Sequence, residues 1–384
     1  MLTAEQVAAL TSDIVWLEAQ EVTLPDGSTQ TALVPRVYLM PREGDLNPKG
    51  SLIAGRQVQI DLSGDFLNSG SVAGRELVLI DANGIRSSGR VSSEGTTALR
   101  ANEDIDVRGG EVAARDALLL DAGRDVFVVS TTTSTTSTTT AGDDGASTYE
   151  RTVLDRRARL VVNGEAGVLI AQAGQDMILQ AAQIRNEGSG PTVLLAERDL
   201  LLPTVSTGGT DDIHWSADHR QRTERREDIG TTIQANGDVT MLAERHLLGR
   251  AVGIDAQGDI DARAAGALLL EAGERSLSVD EHHRVRHGDR FNRKTVTEDF
   301  TLRESQAIPG ELSGRNVTLL GGAGVYTEGT RIRAEQDVDI DGAGTTVLGA
   351  AQDQRISERH IEVERRVSGL GGSGEDARSH QWHW

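Results

Sequence analysis

Cysteine is absent from the 384 residues, which excludes disulfide staples, thiolate metal sites and cysteine nucleophiles. Aromatic residues make up only 3%, so a core must come from Val, Leu, Ile and Ala, which suits thin stacked layers better than a thick globular centre. Lysine is nearly missing, with Lys49 and Lys294 set against 37 arginines, a skew that a GC-rich coding bias explains. Acids outnumber bases by 59 to 39, and a net charge of −20 disfavours phosphate-rich partners. Nucleic acid and anionic membrane surfaces are therefore not expected ligands. No run approaches the roughly 18 apolar residues that a helical membrane span needs. The opening Met1-Leu2-Thr3-Ala4-Glu5-Gln6 has neither a basic nor an apolar signal region, so any export signal is expected outside the chain.

What is present is a repeat. Gly55-Arg56-Gln57-Val58-Gln59-Ile60-Asp61-Leu62 is followed by Gly64-Asp65-Phe66 and Asn68-Ser69-Gly70. Gly74-Arg75-Glu76-Leu77-Val78-Leu79-Ile80-Asp81-Ala82 repeats the sense, and further copies begin near Gly95 and Ala114. These starts lie 19, 21 and 19 residues apart. Within each copy, short runs alternate apolar and polar, the period of a strand, and Gly, Asn and Asp punctuate them as tight corners require. One corner recurs: Ala122-Gly123-Arg124-Asp125-Val126, Ala173-Gly174-Gln175-Asp176-Met177, Ala196-Glu197-Arg198-Asp199-Leu200, Ala243-Glu244-Arg245-His246-Leu247 and Ala272-Gly273-Glu274-Arg275-Ser276. Short strands at about twenty residues per turn predict an all-β, parallel β-helix, in which no rung buries its apolar side alone.

Four excursions interrupt the repeat, near 130–158, 204–230, 279–310 and 351–384. Three of them follow a strand close to the recurring corner, which predicts departure from one side of the coil. The third reads as a projecting β-hairpin arm, with Gly288-Asp289-Arg290 as its turn. The first opens with eleven consecutive Ser/Thr residues, 130–140, and reads equally as an arm or a loop. The remainder corresponds to roughly 10 rungs, a rod on the order of 50 Å. Residues 1–50 differ and are expected to form a small α+β cap or lead-in to a β-helical domain over 51–384. Thr3-Ala4-Glu5-Gln6 resembles a capping box, Val7, Leu10, Ile14 and Leu17 follow at helical spacing, and Thr23-Leu24-Pro25-Asp26-Gly27-Ser28 is a turn between two strands. No such cap closes Ser379-His380-Gln381-Trp382-His383-Trp384, which is the end expected of a fragment.

The lead-in Leu10-Thr11-Ser12-Asp13-Ile14-Val15-Trp16-Leu17, with Val22-Thr23-Leu24-Pro25-Asp26-Gly27 and Val34-Pro35-Arg36-Val37-Tyr38, resembles the segment before the second haemagglutinin-repeat block of two-partner-secretion exoproteins. Ala54-Gly55-Arg56, Asn68-Ser69-Gly70-Ser71-Val72-Ala73-Gly74-Arg75 and Ala113-Ala114-Arg115-Asp116-Ala117-Leu118 are similar to its rung corners. The likeness covers essentially the whole chain. It is closest to the CdiA-type contact-dependent growth inhibition proteins and extends to the filamentous haemagglutinins. It implies a right-handed β-helical stalk, exported by a cognate outer-membrane transporter to the cell surface, with a stage in the periplasm before delivery. It further implies help in passing a C-terminal toxin across a target cell's outer membrane, or, in the adhesin branch, binding to host or neighbouring cells. The family's secretion domain, receptor-binding segment and toxin have no counterpart in these residues.

Sites of chemistry are sparse. His282, His283 and His287, or His380 and His383, are the candidate metal ligands, but they sit in charged excursions without a fixed third ligand, so no metal or cofactor is expected. Gly321-Gly322-Ala323-Gly324 lacks the Asp offsets of a calcium solenoid. Phosphate-loop and nucleophile-elbow motifs are absent. A polysaccharide-cleaving β-helix would need a carboxylate cluster, whereas Asp61, Asp81 and Asp121 recur from rung to rung at what read as corners. No catalytic residue is therefore expected. Arg220, Arg222, Arg225 and Arg226 form a basic patch diluted by Glu224, Glu227 and Asp228. The working surface is expected in the arms, whose strand edges are open to pairing with a partner.

Overall fold

The structure is a computed structural model. It describes the backbone of residues 14–23, 29–38, 51–141, 145–288, 292–369 and 372–383, and the side chains of 51–140, 145–288 and 292–366.

Alternation sets the local structure. In Glu111–Ala114, Val112 and Ala114 turn inward; Leu118, Leu120 and Ala122 do so in Ala117–Ala122, and Val126 and Val128 in Val126–Val129. These three strands are one rung, with faces A, B and C in that order. The next rung repeats them as Arg159–Val162, Val168–Ala173 and Met177–Gln180, each parallel to its predecessor. Face C is a sheet of 10 strands, so the coil has ten rungs. Faces A and B join into one sheet of 18 strands because in the first two rungs a single bent strand, Leu52–Asp61 or Ser71–Ala82, serves both. The bend falls at a register shift between Gly55 and Gln57.

Pairing in register stacks like on like. On face A, Val112, Leu160, Ile184, Ile233, Ile254 and Leu312 lie one above the next. On face C the column runs Ile105, Val126, Met177, Leu200, Leu247 and Leu268. Each such side chain contributes about 1.5–3 kcal/mol when buried. The gain appears only once a rung has neighbours. Among the described residues no aromatic side chain belongs to the buried core, which is Val, Leu, Ile and Ala with Met177 and Met241. At the two ends, inward residues lose their cover: Ile53 is 49% exposed, Val338 48% and Leu348 66%.

The recurring corner lies between faces B and C in four of its five copies, where its chemistry is a ladder; the fifth, at 272–276, instead follows the face C strand Ala267–Glu271 and opens the third excursion. Asp104 accepts Arg124 Nε and Nη2 at 2.7 and 2.5 Å from one rung on, together with the Asp125 amide. Asp125 accepts the Asp176 amide at 2.9 Å. Asp176 takes Arg198 and the Asp199 amide, and Asp199 takes Arg245 and the His246 amide. His246 Nδ1 then accepts the Ala267 amide at 3.1 Å, standing where the earlier rungs have Asp. The arginine fork beside each of Asp104, Asp176 and Asp199 holds its carboxyl below the ordinary aspartate value. Asp61, Asp81 and Asp121, expected at corners, lie instead inside face B strands, where outward positions stack Asp61 on Asp81, then Arg100, then Asp121. The corner carboxylates are a different set, because alternation along face B reaches its last outward position one residue before the turn begins.

Residues 14–38 correct the expected helix. Ile14–Thr23 and Thr29–Tyr38 are antiparallel strands, Thr23 opposite Thr29, so Ile14 and Leu17 belong to a hairpin. Ile14, Val15, Trp16 and Val22 are β-formers, and Pro25-Asp26-Gly27 is turn chemistry. Tertiary pairing here overrides a short 3.6-residue spacing. Val7, Leu10 and the Thr3-Gln6 box lie outside the described residues. No helix occurs among the described residues.

Candidate functional site

All four excursions are β-hairpins, named arms 1 to 4: Thr131–Ala141 with Gly145–Arg156, Val205–Ser216 with His219–Ile229, Gly273–Gly288 with Asn292–Ile308, and Gln354–Gly369 with Gly372–His383. Each leaves after a face C strand, and arms 1 to 3 return into face A, so all occupy one edge of the coil. The Ser/Thr run is the outgoing strand of arm 1, which settles its alternatives.

The arms do not stand singly. They pair with one another into one antiparallel sheet of 8 strands. Geometry explains this. Arms leave after rungs 4, 6, 8 and 10, that is, after every second rung. Two rungs rise about 9.6 Å, and a hairpin is two strands wide, also about 9.6 Å. The spacing of the arms therefore equals their width, and neighbours meet at hydrogen-bonding distance. Intervening rungs close the same corner tightly, with left-handed backbone at Gly109, Ala181, Ala251 and Gly329 (φ 57°, 47°, 48° and 62°). Six of the eight arm strands have both edges paired, and only the outermost, Thr131–Ala141 and Gly372–His383, keep one edge without a partner strand. The expectation of separate arms with open edges is corrected accordingly.

Side chains lock each junction. Between arms 1 and 2, Arg151 donates to the Glu150 and Thr210 carbonyls at 2.8 and 3.3 Å and pairs with Asp211. Gly209 makes room for it, since a Cβ there would lie 2.8 Å from Arg151 Nη1. Between arms 2 and 3, Gln221 donates to Glu281 at 3.0 Å and Arg275 pairs with Glu227 at 2.5 Å. Between arms 3 and 4, Arg359 pairs with Glu298 at 2.5 Å, and the Ala307 amide donates to Asp353 at 2.8 Å.

The sheet is two-faced. Ile213, Val279, Phe300 and Leu302 share one face, all half-buried, while the opposite face carries the row Asp212, Arg222, Asp280, Thr301. At Gly208 and Gly209 the loss of side chains opens a groove of about 470 Å³, bordered by Arg151, Arg225, Arg275 and Leu277. The predicted basic patch is divided by strand alternation: Arg220, Arg222 and Arg226 share one face and Arg225 takes the other. Arg225 meets Asp211 at 3.3 Å, Arg226 meets Glu224 at 2.5 Å and Arg222 meets Asp212 at 3.8 Å.

Every histidine except His246 lies in the arms. His282 and His283 point to opposite faces, so the sequence triplet with His287 cannot converge on one ion. His282 Nδ1 lies 2.6 Å from Asp299, and His283 Nδ1 lies 3.3 Å from His219 Nδ1 with the Trp215 ring stacked at 6.5 Å. Sequence reasoning missed this Trp215–His283–His219 group, because only the cross-strand register of arms 2 and 3 brings it together. Among the described residues no three His, Asp or Glu side chains are placed to hold a metal. His380 and His383 fall in a strand whose side chains lie outside the described residues.

The hemagglutinin-repeat family model matches residues 83–152, from the second rung into the returning strand of arm 1. The chain is 27% identical, over 97% of its length, to the tRNA nuclease CdiA of Escherichia coli, of which it covers 13%. It is 30% identical, over 72% of its length, to Toxin CdiA of Yersinia pestis, covering 8% of that protein. To the 16S rRNA endonuclease CdiA of Enterobacter cloacae it is 26% identical over 97%, again covering 13%. It thus spans a small part of these relatives. No solved structure matches it. Repeat, coil and near full-length similarity converge: the chain carries the hemagglutinin repeat and is similar to the haemagglutinin-repeat regions of CdiA-type proteins.

Proposed function

We propose that this chain is the non-catalytic rod-and-sheet segment of a secreted, cell-surface exoprotein, and that its parent uses it to deliver a C-terminal toxin into neighbouring bacterial cells on contact. The observation that carries the reading is similarity along 97% of the chain to proteins named as CdiA nucleases. The fold supports a mechanical role. Rungs in register make a stiff axis, and the arm sheet adds a broad second surface on one side of it. The corner carboxylates are each engaged by an arginine or an amide from the adjacent rung, which leaves them poorly placed for acid–base work. In this reading a cognate outer-membrane transporter exports the parent, which pauses in the periplasm before delivery, and residues 1–50 lead into the working unit at 51–384. Binding of extended strands at an open edge of the arm sheet is the mode of contact that the topology favours.

The second reading is an adhesin that attaches to host or neighbouring cells. The half-buried group Val279, Phe300 and Leu302 on one face of the arm sheet favours it, because an apolar patch on a sheet face suits a binding surface. One experiment separates the two. Residues 51–384 are removed in frame from the intact parent, and display, attachment and killing are scored separately. Display and attachment retained with killing lost is the result expected for delivery. Attachment lost with display intact establishes the adhesin instead.

A further inference from the structure

The outgoing strand of arm 1, Thr131–Ala141, ends the arm sheet on one side with an open edge. Such edges are normally blunted by Lys, Pro or inward charges. This one carries only Ser and Thr before Ala141, with a single register shift at its root between Thr131 and Thr132. An edge so unprotected is one that is covered.

The arm rhythm shows where its cover belongs. Arms follow rungs 4, 6, 8 and 10, and the same interval calls for another after rung 2. There the chain instead turns tightly through Ser88 and Gly89, where a Cβ on Gly89 would lie 1.9 Å from the Gly70 carbonyl oxygen. The place beside arm 1 is therefore vacant in the series, and a two-stranded hairpin fits it.

One hairpin of the right size is at hand. Ile14–Thr23 and Thr29–Tyr38 are 10 residues each, close to the 11 of Thr131–Ala141, and they form a two-stranded sheet of their own. An isolated pair of strands is marginal in water. The hairpin precedes Leu52, the start of face A, so it joins the coil at the corner from which the arms depart. Arms 1 and 2 rejoin face A through two residues and arm 3 through one, whereas 13 residues, 39–51, separate the hairpin from the first rung. Thirteen residues reach about 43 Å. The root of arm 1 is three rungs along, about 14 Å.

We propose that the N-terminal hairpin docks on the open edge of arm 1, with Thr29–Tyr38 antiparallel to Thr131–Ala141, so that the sheet has ten strands. The order repeats that of the arms, in which the returning strand of one hairpin pairs with the outgoing strand of the next. Pro35 withholds a single N–H from this ladder. The docked hairpin covers the bare Ser/Thr edge of arm 1 and makes Ile14–Thr23 the outermost strand on that side, with Gly372–His383 outermost on the other. The inference rests on the fold alone and stands under either biological reading.

The test uses the full chain, whose lack of cysteine makes every introduced thiol unambiguous. Val34→Cys is combined in turn with Thr133→Cys, Thr135→Cys and Ser137→Cys, which spans the register left open by the connector. Mild oxidation is expected to form an intramolecular disulfide in at least one pair, read as a cross-linked peptide from monomeric protein. In the unmodified chain, the alternate amides of 131–141 that face outward are expected to exchange at least tenfold more slowly than those of an open edge. Disulfide-linked dimers would show that a second copy takes the edge and would overturn the proposal. Free thiols in all three pairs, together with open-edge exchange rates, would overturn it as well.

Discussion

Asp199 shows how much one corner residue does. It holds the Arg245 guanidinium and the His246 amide of the next rung, and its own amide is held by Asp176 of the rung before. A carboxylate whose value is lowered by folding stabilises the native state above its unfolded value, near pH 3.9, and loses that contribution as pH falls through the lowered one. Asp199→Asn is therefore expected to lower Tm at pH 7, with the gap from the parent closing only below about pH 4. A gap that persists unchanged at pH 2 would remove the ion pair as its cause. Ser130 acts differently. Buried at the root of arm 1, its hydroxyl donates to the Ala181 carbonyl at 2.7 Å and accepts the Ala158 amide at 3.0 Å. Thr231 repeats this at arm 2, donating to the Leu179 carbonyl and accepting the Ala182 amide. Ser130→Ala leaves the Ala158 amide buried without a partner and the Ala181 carbonyl with only Arg157 Nε at 3.3 Å, and is expected to cost about 1–3 kcal/mol in urea unfolding.

At the scale of the element, the corner between faces C and A has two forms, a tight left-handed turn or the root of an arm. Gly329 serves the tight form at φ 62°, and a Cβ there would sit 2.5 Å from that of Ala351. Gly329→Val combines a left-handed β-branched residue with that clash and is expected to destabilise the last two rungs by at least about 2 kcal/mol, seen as faster amide exchange confined to 310–349. Arms depend on one another because they share edges. Replacing 205–229 by a two-residue turn is expected to leave the coil folded while exposing edges of arms 1 and 3. Exchange should then accelerate over 146–152 and 275–283, where the pairing partners have gone. Unchanged exchange there would mean that each hairpin is stable alone.

The whole molecule is two periodic structures in step, a ten-rung coil and a sheet whose hairpins recur at twice the rung spacing. A solenoid tolerates an added repeat because each rung touches only its neighbours. The sheet does not. Duplicating residues 159–181, one rung between arms 1 and 2, is expected to lengthen the rod by about 4.8 Å in small-angle scattering. It also separates arm 1 from arm 2 by that distance, beyond hydrogen-bonding reach. The signature is a longer, still folded coil with accelerated exchange at the junction Arg151 occupies. If the junction stays protected, pitch matching is not what holds the arms together.

Sequence alone determined the coil, its approximate rung count and the position of the excursions, because alternation and corner chemistry are local: a strand face is written at every second residue, and a tight turn needs its Gly, Asn or Asp at that place. The recurring Arg-Asp corner was legible as a motif, and the register of adjacent rungs explains it as a ladder. What only the tertiary structure decided was every relation between residues far apart in the chain. Arms written as separate excursions become one sheet because rung rise and hairpin width coincide. A run of arginines divides between two faces, and Trp215 meets His283, 68 positions further along the chain, through pairing in arms 2 and 3. Ile14 and Leu17, spaced as for a helix, pair as strands because a partner strand lies one turn away. Such outcomes depend on which edges come within hydrogen-bonding distance, and that is a property of the assembled coil.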